Sequence, residues 1–221
     1  MRVFVVLIGV VGTGILLWLG IWQMQRLEWK EGVLAEIEDR IAAAPVAVPA
    51  VPDPEADRYL PVEVAGTLGE RELHVLISRK GFGAGYRVIR ALDTGQRSIM
   101  VDLGVIATTA KDADRPGGPM EVAGNLHWPD EVDSFTPEND VAGNIWFARE
   151  VDQMADALGT APILVIARDL SPAVPGVTSL PVDTSGIPND HLGYAVTWFG
   201  MAAVWVAMTA LFLYRGRRRT A

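Results

Sequence analysis

His191 is the last polar residue before an uncharged apolar stretch, residues 192–214. At 100° per residue of a helix, Tyr194, Trp198, Met201, Trp205 and Phe212 fall on or near its side. A neutral imidazole beside an apolar aromatic wall is what an axial haem ligand requires, with the iron as the metal held. The same face also reads as an aromatic belt at a membrane surface. A belt explains Tyr194 and Trp198 better than Trp205, which lies roughly 20 Å along the helix from His191. Other chemistries find less support. His74 and His127 fall in strand-like stretches and read as surface or packed imidazoles. Without cysteine, an HxxxH pair or a Met–His cluster, a zinc or copper site held by protein ligands is not expected. Gly81, Gly83 and Gly85 look like a phosphate loop, but such a loop must open a helix and residues 86–89 read as strand. They suit a hairpin with positive φ instead. Ser134 and Ser171 lie in proline-flanked loops, and no G-x-S-x-G elbow occurs.

What positions His191 is a pair of apolar stretches, residues 3–22 and 192–214, each without a charge. At ~1.5 Å per residue each makes a helix of roughly 30 Å, enough to cross a bilayer. Arg215, Arg217, Arg218 and Arg219 follow the second stretch, while its other flank carries Asp183 and Asp190. The positive-inside rule then places both chain ends in the cytoplasm and the middle outside, with Arg26 and Lys30 arguing the other way. The first stretch lacks a small-residue cleavage site and is expected to stay as an anchor. Gly9, Thr13 and Gly20 on the first helix, and Gly193, Gly200 and Ala207 on the second, form small-residue patches expected to pack the two together. The aromatic face with His191 would then point outward.

Between the anchors, residues 31–190 hold 12 basic and 26 acidic residues, a net charge of −14. Such a surface repels nucleic acid and anionic headgroups. Helical periodicity is kept over 23–41, through Leu27, Val33 or Leu34, Ile37 and Ile41, as a helix that continues out of the membrane or restarts at its surface. Pro45, Pro49, Pro52 and Pro54 then force an extended linker over 43–57. Strands are expected at 59–67 (stopping at Gly66 and Gly69), 73–78, 86–92, 98–106, 120–126, 145–148 and 163–167. A helix is expected only at 151–158, with Asp152 as cap and Gly159 as stop. The fold class is α+β: two transmembrane helices flanking one mainly antiparallel β domain with a short helix. The divisions are 1–24, 25–57, 58–190, 191–214 and a basic tail, 215–221.

Four segments together resemble the Surfeit locus protein 1 (Shy-type) family. They are "GIWQMQRLEWK" (20–30), "GAGYRVIRAL" (83–92), "TPENDVAGNIWFAREVDQMADALG" (136–159) and "PNDHLGYAVTWFGMA" (188–202). Each is weak alone, but their order and spacing across nearly the whole chain are specific. One departure stands out. The family's Arg-Gly-Trp-Val-Pro segment matches Leu103, Gly104, Val105, Ile106 and Ala107 here, keeping only the glycine.

The resemblance implies a non-enzymatic assembly factor for haem–copper cytochrome c oxidase. Its partner would be the oxidase catalytic subunit, with haem a synthase a further candidate, in contact with membrane lipid and not with nucleic acid. It implies a bacterial inner membrane with the β domain periplasmic. It also maps a haem a ligand onto His191. If His191 holds haem, Trp198 and Tyr194 are expected to flank the ring and Arg26 or Lys30 to pair with propionates. Arg26 and Lys30 equally suit lipid phosphate. Two alternatives remain open at this point: a cofactor-free scaffold for oxidase intermediates, and a membrane-tethered enzyme. The latter lacks a converging set of titratable groups in the sequence.

Overall fold

The computed structural model describes residues 2–79 and 82–218, in two compact units: residues 1–36 with 184–221, and residues 37–183. Gly81 of the expected hairpin and Arg219 of the basic tail lie outside the described residues.

The first unit is a pair of antiparallel helices. Helix α1 runs Arg2–Ala42 without a break, so the periodicity beyond residue 22 is a continuation of the first apolar helix rather than a new one. Helix α3 runs His191–Arg218. Both are long and apolar enough to cross a bilayer. Along α1 the partly or fully covered residues recur at steps of four and three: Val5, Gly9, Gly12, Leu16, Leu19, Gln23. On α3 the same rhythm marks His191, Ala195, Trp198, Ala202, Trp205 and Thr209. This 4-3 spacing is the seam of an antiparallel helix pair. Thr13, Thr197 and Thr209 return their hydroxyls to carbonyls four residues back, which satisfies each of these three donors within its own helix.

The α1 patch faces the partner helix as expected, but α3 is rotated from its expected orientation. A β-carbon on Gly193 or Gly200 would meet nothing within 4 Å, and Ala207 is exposed. The α1 glycines receive large side chains instead. A β-carbon on Gly12 would fall 2.6 Å from Trp205 Nε1, and one on Gly20 would fall 2.5 Å from Phe199 Cε1. Trp205 Nε1 donates to the Gly9 carbonyl at 3.2 Å. Small against large buries more surface than small against small and gives the indole N–H an acceptor. Trp198 and Trp205 therefore lie on the seam, while Tyr194, Met201 and Phe212 stay exposed.

The second unit is a closed barrel. Strand β1 (Val46–Ala47) lies parallel to the start of β2 (Pro61–Arg79). Then come β3 (Gly83–Asp93), β4 (Ser98–Ala107), β5 (Gly118–Leu126), helix α2 (Val151–Leu158) and β6 (Leu164–Ser171). The order β2-β3-β4-β6-β5 closes because β5 also pairs with β2; the β4–β6 and β1–β2 pairs are parallel and the other described strand pairs antiparallel. Closure removes the edges that an open sheet would leave unpaired.

One long strand makes closure possible. The two stretches separated at Gly66–Gly69 in the sequence are a single strand: residues 61–68 pair with β5 and residues 67–79 with β3. The register shifts between Leu68 and Glu72, where β2 bends from one neighbour to the other. A side chain at Gly66 would strike the Asp93 carbonyl, so this glycine marks close approach, not an end. Beyond the bend, the side of β2 that β5 has left is taken by Trp146. Its N–H donates to the His74 carbonyl at 2.9 Å, and its carbonyl accepts from Leu76 at 2.7 Å. Ile145 and Trp146 thus form isolated bridges, to Asp140 and Val75, rather than the expected strand over 145–148.

Alternation along the strands separates two cores. Val62, Leu68, Val88, Leu92, Ile99, Val101, Leu103, Val122, Leu126 and Val165 fill the barrel. Outside it, Met154 and Ala155 of α2 and Trp146 cover Leu73, Val75, Ile89, Met100, Leu164 and Ile166. Each such side chain contributes about 1.5–3 kcal/mol by leaving water. Helix α2 spans the expected residues and ends on Gly159 in the left-handed conformation. Its N-cap is Glu150, not Asp152; Asp152 sits in the first turn, where its charge favours the helix dipole. The linker is tied down, with Arg97 donating to the Pro49 and Ala50 carbonyls.

Gly104 explains why one residue of the altered segment persists. Its φ is +124°, and its α-carbon faces the Thr178 carbonyl so closely that no side chain fits. Leu103 and Val105, where the family carries Arg and Trp, are buried core residues.

Candidate functional site

Two polar side chains meet on the helix seam. Gln23, only 9 % exposed on α1, accepts a hydrogen bond from His191 Nδ1 at 2.8 Å through its Oε1. An amide oxygen can only accept, so the imidazole proton is on Nδ1 and the Nε2 lone pair is the one left for a ligand. Helix pairing creates this contact: the step of four and three brings residue 23 of one strand of the pair opposite residue 191 of the other. Of the other expected residues, Trp198 shares the seam, one heptad deeper than His191, and Tyr194 is exposed beside it. Arg26 is exposed and stacks its guanidinium 4.3 Å over the Trp29 ring. Lys30 lies seven residues past Gln23, on the same α1 face and half-buried. Gln23 was missed as a site residue. Its signal was a polar side chain at a seam position directly after the uncharged run over 3–22.

Below this pair, a groove of about 600 Å³ runs between the helices, lined by Gly12, Leu16, Gly200, Val204, Trp205 and Met208. It begins nine residues past His191, ~13 Å along α3.

The motif arginines of the barrel go to two charge clusters. Inside the barrel, Glu72 accepts from Arg115 at 2.6 and 2.9 Å and contacts His74 Nε2 at 2.9 Å, with fully buried Arg90 at 3.6 Å. Burial pushes the Glu72 carboxyl up, but the hydrogen bonds from His74 and Arg115 and the charges of Arg115 and Arg90 outweigh it and bring it down to about 2. Arg90 also donates to the Gly69 and Arg115 carbonyls, which closes this end of the barrel. On the outer face, buried Asp102 accepts from Arg87 at 2.6 Å and pairs with Arg149 at 3.5 Å; Arg149 also pairs with Glu131. His127 stacks on Tyr59 beside them, and burial, then the Arg149 and Arg58 charges, lower it to about 4. These clusters bind strands and loops to one another. A recess of about 410 Å³ on the barrel wall holds Glu63, Glu121 and Asp169 with Ser171, but no histidine or lysine to act with them. Among the described residues, no group of three His, Cys, Asp or Glu side chains could hold a metal.

The family model described as the SURF1 family matches residues 10–203. Surfeit locus protein 1 of Homo sapiens is 30 % identical over 206 residues, covering 82 % of this chain and 68 % of that protein. The Rattus norvegicus protein of the same name is 28 % identical over 208 residues, covering 82 % and 66 %. A SURF1-like protein of Drosophila melanogaster is 26 % identical over 207 residues, covering 82 % and 68 %. The chain thus spans about two thirds of the length of these relatives. A match that begins within the first half of α1, takes in the whole barrel and ends just short of the middle of α3 leaves one conclusion: this chain belongs to the SURF1 family.

Proposed function

We propose that the protein is a membrane-anchored, non-enzymatic assembly factor for haem–copper cytochrome c oxidase, carrying haem a through His191 to the catalytic subunit. The observation that carries this reading is the Gln23–His191 pair. It is an oriented imidazole with its Nε2 lone pair uncommitted to Gln23, at the head of an otherwise apolar helix pair. Haem a would be cargo here, and its iron would take a neutral imidazole as a ligand. The residues present suit such a group. His191 would ligate, exposed Tyr194 offers a flat apolar contact, and the apolar groove along the seam offers room for an isoprenoid tail that is costly to leave in water. Arg26 and Lys30 would meet propionates or lipid phosphate near the helix mouth. The positive-inside rule supports cytoplasmic chain ends and an external barrel. The barrel's net negative surface suits protein contacts better than nucleic acid or anionic lipid.

The test is production of the full chain alongside haem a synthesis, purification in detergent and an absorption spectrum. Pigment is expected in the wild type and absent in His191→Ala. Equal pigment in both removes His191 from the role. Copurification with an oxidase subunit, without haem although haem a is abundant, would replace the carrier by a cofactor-free scaffold.

A further inference from the structure

We infer that Gln23 is a positioning residue that sets how firmly His191 holds its ligand, and that an amide rather than a carboxylate at this position keeps the hold releasable. The inference rests on the haem reading above. Its grounds are the 2.8 Å contact between Gln23 Oε1 and His191 Nδ1 and the burial of Gln23 at 9 % exposure.

The contact has two consequences. It fixes the tautomer: with Nδ1–H committed to an acceptor, Nε2 is the ligating nitrogen and the ring plane is set by the helix seam. It also sets basicity. A carboxylate accepting from Nδ1–H pulls the proton strongly, makes the imidazole more electron-rich and strengthens its bond to a metal. An amide oxygen carries no charge and pulls less. The ring is therefore oriented as well as in a permanent metal site but donates more weakly, which suits a group that must be passed on. Both helices contribute, so relative sliding of α1 and α3 would break the contact and loosen the ligand together.

The test is a series of full-length variants, each produced with haem a and purified in detergent: wild type, Gln23→Leu, Gln23→Glu and His191→Ala. Gln23→Leu keeps the volume and suits a membrane helix, so loss of folding is not expected. Affinity for haem is expected to fall 10- to 100-fold in Gln23→Leu, the range for lost partners of ligating histidines. Gln23→Glu is expected to release haem to an apo-acceptor more slowly than wild type and to show a lower reduction potential. A second readout needs no haem. Nitrogen-15 NMR of histidine-labelled protein is expected to show His191 protonated on Nδ1 in the wild type and to lose that preference in Gln23→Leu. If His191→Ala keeps its pigment, the haem reading itself fails. If His191→Ala loses pigment while Gln23→Leu matches wild type in affinity, potential and tautomer, that reading stands and the role of Gln23 is overturned. Faster release from Gln23→Glu than from wild type likewise overturns the basicity argument.

Discussion

Replacing Glu72 by Gln is expected to destabilise the barrel in a way that depends on pH. Among the described residues, Glu72 is the only carboxylate in an ion pair with either Arg115 or Arg90, whose side chains are 2 % and 0 % exposed. Gln keeps the shape and removes the charge, which leaves two buried guanidiniums facing an amide. The folded carboxyl titrates near 2 against an ordinary 4.5, a difference worth about 3 kcal/mol of folding stability at neutral pH. Breaking one side of a buried ion pair costs about 3–5 kcal/mol by a separate route, so the two figures agree. The sign follows from the lowered folded pKa. The stabilisation is fully present above 4.5 and drains away as pH falls toward 2, so the gap between variant and wild type should be about 3 kcal/mol at pH 7 and less than half of that at pH 3. Urea unfolding of the full chain in detergent, followed by near-ultraviolet circular dichroism from buried Trp146, measures it. A variant within 1 kcal/mol of wild type at pH 7, or an equal gap at pH 3, would refute the argument.

Gly12→Leu is expected to force Trp205 off the seam and to cost the helix pair about 1–3 kcal/mol, seen as a lower melting temperature in detergent. Gly200→Ala, where a β-carbon meets nothing within 4 Å, should melt like wild type; a reversed order would mean that α3 faces the other way. Gly104→Ala should lower the urea midpoint by an amount worth more than about 1 kcal/mol, because φ of +124° and the Thr178 carbonyl both oppose a side chain. An unchanged midpoint would show that residues 177–179 move aside freely.

Some of this was legible before any coordinates. An uncharged run of twenty residues has few fates other than a membrane-length helix, and 3–22 and 192–214 both became helix. Short β-branched runs between glycines located β3 to β6 within a few residues, and Gly159 ended α2 because only a left-handed residue suits that cap. His191 could be singled out by its place at the rim of an apolar stretch. Its partner could not, since 168 residues separate it from Gln23 and no local pattern connects them.

Hydropathy and periodicity are local properties, so they determined which segments are helix, strand or linker and which faces are apolar. They could not decide which apolar face of α3 meets α1. That depends on Trp205 and Phe199 finding the hollows at Gly12 and Gly20, a fit of volumes across the seam. Nor could they show that β2 continues through Gly66 and Gly69, because a bend shared between two neighbouring strands looks, along one chain, like an end. Barrel closure, the burial of Arg90 and Asp102 beside their partners, and the meeting of Gln23 with His191 all rest on packing between residues far apart in sequence. Tertiary structure alone decided them.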